Sequence, residues 1–295
     1  MLVLVLSTVL AAEPPGPDTI VLDVELAQAL GDGLFASGDP TGALQWYRVA
    51  RWLQPTGDEL SGIQARVGLG LEATGDFAGA ADWYTRVEGP LSQNMQVRAG
   101  VCRFKSGATT WGTETFDALA AEVPAVRGDV ELLQGVLWLE QGDAHQAAEA
   151  FSSVPTSDPR SAKAAGMAAR AGTNPPLKSP VVAAGLSVVP GMGQMYTGHR
   201  AHGWRNLGAA AMLGGGTWWT MSEGLKGDPM MAGMGGALAT TAAIGWTANV
   251  IGAWKRGRTA AHEARLAHAK EVREAAVQAF PDLPLDPDPA QLRRN

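Results

Sequence analysis

The chain has 295 residues, with 23 basic and 29 acidic side chains that are unevenly distributed. Residues 1 to 177 hold 11 basic and 21 acidic groups, whereas residues 178 to 295 hold 12 and 8. The acidic front half repels polyanions, so we expect no nucleic-acid partner, and the single cysteine, Cys102, excludes an intrachain disulfide and a thiolate metal site.

The N-terminus begins with MLVLVLSTVLAA, a short apolar run that ends in small residues and precedes the turn-like EPPGPD. This pattern predicts a signal peptide at residues 1 to 12, cleaved after Ala11 or Ala12. No Lys or Arg precedes the apolar run. The alternative is therefore a hydrophobic N-terminus that is not cleaved.

A four-residue pattern recurs between residues 24 and 161. Its members lie at offsets of seven, five and four residues: Gly31, Gly38, Ala43 and Tyr47; Gly68, Gly75, Ala80 and Tyr84; Gly100, Gly107, Gly112 and Phe116; Gly135, Gly142, Ala147 and Phe151. Twelve residues after the third member of each set stand Pro55, Ser92, Pro124 and Pro159. Small residues let two helices approach closely, an aromatic ring fills the gap beside them, and proline ends the second helix. Each set therefore predicts a helical hairpin.

The repeats resemble the tetratricopeptide repeat, with a spacing close to 34 residues. In three units the second glycine is followed by aspartate, which suits a helix end and the N-cap of the next helix. The resemblance implies an α-solenoid of about four hairpins over residues 24 to 172. Two features depart from the family: the third unit lacks the Gly-Asp pair and the alanine, and the usual first-helix tryptophan is replaced by Ala27, Gln64, Gln96 and Glu131.

Stacked hairpins of this kind bind partners on a concave face. The resemblance places ten candidate groove residues on the first helices: Asp32, Phe35, Leu69, Glu72, Val101, Phe104, Lys105, Leu132, Val136 and Leu139. Lys105 is the only basic group among them, which disfavours a groove that clamps a carboxylate and favours a protein partner, either a helix or an extended segment with apolar anchors. The alternative for the three residues at 132, 136 and 139 is that they pack against the next helix.

Residues 173 to 179, rich in proline, are predicted to be a linker. Two apolar segments follow: residues 204 to 221 carry only Arg205, and residues 230 to 254 carry no charge. Helices of this length match the roughly 30 Å hydrocarbon core of a bilayer, and tryptophans beside basic residues at their outer ends are typical of the membrane interface. Two transmembrane helices are therefore predicted, with a buried helical pair of a soluble protein as the alternative.

A glycine-rich stretch precedes the first of these segments. After Ser179 and Pro180 it has the pattern Pro-Gly-x-Gly-Gln-x-Tyr-x-Gly, formed by Pro190, Gly191, Gly193, Gln194, Tyr196 and Gly198. This resembles the TM2-type membrane hairpin over residues 180 to 254, which implies a membrane module and no known reaction. We expect the proline and glycines to break the helix and allow close backbone approach, and Gln194 and Tyr196 to satisfy the freed backbone groups.

Two other interpretations of the same stretch, a phosphate-binding loop and a metal site, are disfavoured. A phosphate-binding loop would follow a strand and end in Lys-Ser, and neither feature is present. His199 and His202 could share a metal ion, yet no third ligand is near in sequence, so we expect them to be interfacial cations.

The C-terminal part is predicted to contain a helix at residues 255 to 280, either on lipid headgroups or solvated, and a disordered proline-rich tail at residues 281 to 295. A cleaved signal peptide would place the repeats outside the cytoplasm, whereas the positive-inside rule would place Arg200 and the basic cluster after Trp254 within it. Both conditions hold only if residues 180 to 197 also cross the membrane. The alternatives are a re-entrant segment with an inverted hairpin, or an uncleaved protein whose repeats face the cytoplasm.

The sequence therefore predicts an all-α protein: a tetratricopeptide-like solenoid, a transmembrane hairpin and a C-terminal helix. We expect a membrane-anchored scaffold for protein–protein interaction at the bacterial cell envelope, in the inner membrane with periplasmic repeats. Its partners would be proteins on the concave face and the lipid bilayer. No recurrent catalytic arrangement is evident, so we expect neither an enzyme nor a cofactor or metal. The alternatives are a component of a transport or channel assembly and an envelope hydrolase.

Overall fold

The computed structural model describes residues 22 to 286, so the predicted signal peptide and residues 287 to 295 of the predicted tail lie outside the described residues. Within this range the chain forms thirteen α-helices and no β-strand, which confirms the all-α prediction. The chain divides into two compact units, Met1–Val130 with Pro284–Asn295 and Glu131–Leu283. Because the boundary falls inside the seventh helix, the predicted repeat region is divided between them.

The first unit contains three helical hairpins. Their helices are α1 (Val24–Ala36), α2 (Pro40–Trp52), α3 (Gly57–Ala73), α4 (Phe77–Tyr84), α5 (Ser92–Lys105) and α6 (Thr109–Glu122). Each helix packs against the next along the chain, so the hairpins are stacked. The core between them holds alanines beside the large side chains of Tyr47, Ile63 and Tyr84.

The repeated glycine and aromatic residues explain the close approach of the helices in each hairpin. A Cβ atom on Gly31 would overlap the ring of Tyr47. The same relation holds for Gly68 with Tyr84, Gly100 with Phe116 and Gly135 with Phe151. The helical hairpins predicted from this pattern are confirmed.

The Gly-Asp pairs form the turns between the two helices of a hairpin. Gly38 has a φ of 87°, a left-handed conformation that glycine adopts at little cost. Asp39 then caps α2 by accepting a hydrogen bond from the backbone N–H of Gly42 at 2.9 Å. Asp76 and Asp143 cap their helices through side-chain carboxylates in the same way. The third unit has Ala108 at this position and no side-chain cap.

The second unit contains the fourth hairpin and the glycine-rich region. Its helices are α7 (Arg127–Glu140), α8 (Ala144–Ser152), α9 (Ser161–Ala171), α10 (Pro180–Leu186), α11 (Met192–Tyr196), α12 (Arg200–Gly224) and α13 (Pro229–Ala279). Residues 173 to 179 contain no helix, as expected of a linker. Helices α12 and α13 pack against each other after a short turn at residues 225 to 228.

Helix α13 is one continuous helix of 51 residues, so the predicted second apolar segment and the predicted C-terminal helix are not separate elements. Asp228 caps its N-terminus, and no proline interrupts it between Pro229 and Pro281. Its C-terminal half packs against α8 and α9, where the Phe280 and Phe151 ring centroids lie 6.3 Å apart. The predicted C-terminal helix is thus partly buried against protein, which differs from both expected environments.

Among residues 22 to 286, no helix combines the length and the mean hydropathy that crossing a membrane requires. The transmembrane prediction for residues 204 to 221 and 230 to 254 is therefore not supported. Both segments consist largely of Gly, Ala and Thr, which contribute less hydropathy than Leu, Ile or Phe.

Candidate functional site

The ten predicted groove residues differ in exposure. Six apolar members are buried, and they are Leu69, Val101, Phe104, Leu132, Val136 and Leu139. The Phe104 ring stacks on Phe116 within its own hairpin, with ring centroids 5.9 Å apart. These six side chains serve the core and are not surface anchors for a partner, in agreement with the packing alternative for residues 132, 136 and 139. The other apolar candidate, Phe35, is half-buried.

Asp32 joins two neighbouring hairpins of the first unit. Its Oδ1 accepts a hydrogen bond from the Tyr47 hydroxyl at 2.9 Å and one from Nε of Arg66 at 3.0 Å. Nη2 of Arg66 donates to Oδ2 at 3.1 Å, so the contact between the guanidinium and the carboxylate is bidentate. Asp32 therefore ties α1, α2 and α3 together.

Glu72 repeats this arrangement one hairpin later, in a more buried setting. The Tyr84 hydroxyl donates to Oε2 of Glu72 at 2.9 Å, and Nε of Arg98 donates to the same oxygen at 3.2 Å. Nη2 of Arg98 donates to Oε1. The same linking triad therefore recurs. It consists of an acid on the first helix of one hairpin, a tyrosine on the second helix of that hairpin, and an arginine on the first helix of the next hairpin.

Arg98 and Lys105, both on α5, hold a non-helical segment of the same unit. Nη1 of Arg98 donates to the backbone oxygens of Pro284 at 2.8 Å and Asp286 at 3.0 Å. Nζ of Lys105 donates to the backbone oxygen of Leu285 at 2.8 Å. Three consecutive backbone carbonyls are thus bound by two cations. We call Arg98, Lys105 and the segment 284 to 286 the carbonyl clamp.

Further contacts fix the position of the Lys105 ammonium group. It lies 5.7 Å from the centroid of the Phe77 ring, within the range of a cation–π interaction. It is also 4.0 Å from the carboxylate of Asp286, which is almost fully exposed. The main interaction of Lys105 with the segment is therefore with the backbone, and the carboxylate contact is long and solvated.

The environment of Arg98 favours a charged guanidinium and a neutral hydroxyl and thiol beside it. Burial of Arg98 acts to lower its pKa, but the hydrogen bond and the charge of Glu72 outweigh that effect, so the pKa is raised overall. Burial, followed by the Glu72 charge, raises the pKa of Tyr84 well above its usual value. Burial and the same carboxylate raise the pKa of Cys102, which is a buried thiol as its position in a helix predicts. Arg98 is therefore a permanent donor to the carbonyl clamp.

The groove residues predicted from the sequence include Lys105 and Glu72 but not Arg98. Arg98, about two turns before Lys105 on α5, is a second basic group that binds the same segment. One signal was available: the pattern ends in tyrosine in the first two units and in phenylalanine in the last two. A buried tyrosine hydroxyl needs a polar partner, which points to the acid and the arginine beside it.

The glycine-rich motif lies in the second unit and breaks the chain between α10 and α11. Gly191 has a φ of 93°, and a Cβ atom there would overlap the backbone oxygen of Gly203. A Cβ atom on Gly193 would overlap the backbone oxygen of Ala183. The predicted helix break and close backbone approach at Pro190 and the glycines are confirmed. Gly198 also has a positive φ, of 100°.

The two polar motif residues have different partners. The Tyr196 hydroxyl accepts a hydrogen bond from the backbone N–H of Ser179 at 3.2 Å, so it satisfies a backbone group as predicted. The Gln194 side chain instead donates from Nε2 to Oδ1 of Asn249 at 2.6 Å. The freed backbone oxygen of Ser187 is satisfied by Nδ2 of Asn249 at 3.2 Å. The prediction for Gln194 is corrected: its amide serves a side-chain network.

The two histidines of this region, His199 and His202, lie close to each other. The rings of His199 and His202 lie with centroids 6.3 Å apart in an edge-to-face arrangement. Within the part of the chain that the structure describes, no group of three or more His, Cys, Asp or Glu side chains could hold a metal ion.

Comparison of the chain with protein families finds no matching family model, and comparison with curated proteins finds no matching relative. Functional inference therefore depends on the chain's own residues, of which the carbonyl clamp is the most developed interaction site.

Proposed function

We propose that the protein is a membrane-attached, tetratricopeptide-like scaffold whose first unit binds an extended peptide of a partner protein. The observation that carries the proposal is the carbonyl clamp, in which Arg98 and Lys105 donate to three successive backbone oxygens of residues 284 to 286. A surface that binds one segment through its backbone oxygens can bind another of similar conformation.

The character of the bound segment indicates the kind of partner. Pro284, Leu285 and Asp286 belong to a run in which prolines alternate with leucines and aspartates. Prolines favour an extended conformation before binding, which reduces the entropy lost on binding. We therefore propose a partner with a proline-containing, extended and weakly acidic segment.

The proposed site of membrane attachment is the exposed apolar surface of α12 and the N-terminal half of α13. Large apolar side chains are exposed there, and they include Trp204, Met212, Trp218, Trp219, Met230, Ile244 and Ile251. A continuous apolar surface of this kind is typical of contact with lipid or protein. The absence of charge over residues 230 to 254 favours lipid, as do the tryptophans near both ends of the helical pair, Trp204 and Trp254 at one end and Trp218 and Trp219 at the other. As predicted from the N-terminus, we place the repeats in the periplasm.

Peptide binding is tested with a variant that ends at Leu283 and a fluorescein-labelled peptide of residues 281 to 295. We expect saturable binding in fluorescence anisotropy. The full chain should bind the peptide more weakly because its own segment occupies the site at a high effective concentration. No binding to the shortened variant would contradict the proposal.

The matched substitutions are Lys105→Met and Lys163→Met in the shortened variant. Lys105→Met keeps the apolar stem but removes one charge-assisted hydrogen bond, so we expect peptide affinity to fall about tenfold. Lys163 lies on α9 of the second unit and should leave the affinity unchanged. Equal affinities of the two variants would show that the carbonyl clamp does not bind the peptide.

Membrane attachment is tested by flotation of the full chain with vesicles of phosphatidylcholine and phosphatidylglycerol. We expect the protein to float with the vesicles, and Trp218→Gln with Trp219→Gln to reduce the floating fraction. The control replaces Trp52 and Trp111, which are similarly exposed on the first unit. A reporter fused after residue 175 then shows on which side of the membrane the repeats lie.

A further inference from the structure

The second unit contains a cavity of about 510 Å³ that the proposed scaffold function does not use. It is lined by α12 and α13, with Pro190 and Gln194 at one end. Its walls are mostly small or apolar, with Leu213, Gly245 and Trp246 among them. This volume lies in the usual range of small-molecule pockets, and the apolar walls suit a hydrocarbon chain.

The polar end of the cavity has a fixed hydrogen-bond direction. Nδ2 of Asn249 donates to the backbone oxygen of Ser187 at 3.2 Å, so Oδ1 of Asn249 must be the acceptor on its other side. That oxygen accepts from Nε2 of Gln194 at 2.6 Å and from Nδ2 of Asn206 at 3.1 Å. The nitrogen of the Gln194 amide is therefore the atom committed to Asn249, and Oε1 is the atom left over.

Oε1 of Gln194 is a buried acceptor without a hydrogen-bond partner among the described residues. The Gln194 side chain is 0% exposed and lines the cavity. A buried polar atom of this kind is unfavourable unless a donor reaches it, and native proteins satisfy nearly all such atoms. Among the described residues that line the cavity, Gln194 therefore carries an acceptor without a donor.

We propose that the cavity binds a single-chain amphiphile whose head group carries a hydroxyl, such as a long-chain alcohol or a monoacylglycerol. The hydroxyl donates to Oε1 of Gln194, and the alkyl chain lies along the small residues of α12 and α13. Arg256 also lines the cavity and suits an ester oxygen of the head group. A fatty acid in its ionised form is disfavoured because a carboxylate offers no donor to Gln194.

The test uses two probes, 12-bromododecan-1-ol and its methyl ether, in which a methyl group replaces the hydroxyl proton and removes the donor. Bromine quenches tryptophan fluorescence, and Trp246 lines the cavity. The full chain is titrated in phosphatidylcholine nanodiscs, or in plain buffer if vesicle flotation shows no membrane binding. We expect saturable quenching by the alcohol at roughly tenfold lower concentration than by the ether, as one hydrogen bond implies. Equal, unsaturable quenching by both would overturn the proposal.

Two variants separate the cavity from general partitioning of the probes. Gln194→Met removes the acceptor and should abolish the preference for the alcohol. Gly245→Leu fills the cavity without straining the fold, because a Cβ atom there meets nothing within 4 Å. It should abolish saturable quenching while the thermal unfolding temperature stays within a few degrees of the wild type. Saturable binding that survives Gly245→Leu would contradict the proposal.

The apolar walls could alternatively be covered by a second copy of the chain. Native mass spectrometry of the same samples distinguishes this case. A dimer that binds no alcohol and that Gly245→Leu dissociates would assign the surface to self-association and overturn the proposal. A monomer that carries one alcohol molecule supports it.

Discussion

Arg98 and Glu72 form an ion pair whose side chains are only 3% and 1% exposed. Removing two charges from water is costly, and it is offset only when the pair has good geometry and additional hydrogen bonds. Here the Tyr84 hydroxyl satisfies the carboxylate, and the backbone oxygen of Pro284 satisfies the guanidinium. The pair connects two hairpins and the carbonyl clamp, so its loss affects both folding and binding.

Replacing Glu72 with Gln leaves the Arg98 charge buried without its counter-charge. We expect the free energy of unfolding to fall by about 3 to 5 kcal/mol. The matched substitution is Asp32→Asn in the first triad, where the carboxylate side chain is 20% exposed and water can compensate. That change should cost about 1 kcal/mol. Urea unfolding followed by circular dichroism measures both, and equal losses would show that burial does not distinguish the triads.

Replacing Gly31 with Ala places a methyl group against the ring of Tyr47. Overpacking a helix interface typically costs about 1 to 3 kcal/mol, more than the roughly 0.5 to 1 kcal/mol gained from the helix preference of alanine. Gly33, two residues along the same helix, has nothing within 4 Å of the place that a Cβ atom would take. Gly33→Ala should therefore stabilise the protein while Gly31→Ala destabilises it. Thermal unfolding of the two variants tests the sign of each change.

The buried thiol of Cys102 and the hydroxyl of Tyr84 predict a loss of stability at alkaline pH. Both pKa values are raised in the folded chain from ordinary values of 9.0 and 10.0. Above about pH 9 the unfolded chain loses these protons but the folded chain retains them, so the free energy of unfolding decreases as pH rises. Each group contributes up to about 1.4 kcal/mol per pH unit.

The Cys102→Ala variant isolates the thiol, because the chain has no other cysteine. Between pH 8 and pH 10.5 the wild type should lose about 1 to 2 kcal/mol more stability than this variant. Urea unfolding at the two pH values gives the difference. Parallel losses in both proteins would mean that the thiol does not titrate differently in the two states.

An aspartate at position 108 would supply the missing cap of the third hairpin. Ala108 has a ψ of 55°, close to the 72° of Asp76, which caps the corresponding helix of the second hairpin. Ala108→Asp should therefore raise the free energy of unfolding by about 1 kcal/mol. Ala118→Asp, in the exposed middle of the same helix, should instead lower it by about 0.5 kcal/mol. Chemical denaturation of both variants decides between a capping effect and a general effect of charge.

The local features of the fold follow from the sequence because their causes are local. The spacing of Gly31, Gly38 and Tyr47 encodes a close helix contact, a left-handed turn and a ring that fills the gap, all within one hairpin. The Gly-Asp pairs encode the caps in the same way. Pro190 and Gly191 similarly encode the helix break before α11.

Features that depend on distant residues were not predictable in the same way. Arg98 and Pro284 are separated by 186 residues, and no periodicity links them. The apolar groove candidates were misplaced because the helix register alone does not say whether a neighbouring side chain covers a residue. The composition changes at Trp254, but α13 continues through it because nothing there interrupts backbone hydrogen bonding.

The two cations of α5 contact main-chain oxygens, which every amino acid carries. Recognition of this kind depends on the backbone conformation of the bound segment and not on its side chains, so peptides of unrelated sequence would compete for the same site. Discrimination among them would have to come from abundance, tethering or neighbouring surfaces. The segment 284 to 286 would then be the competitor that any partner peptide must displace.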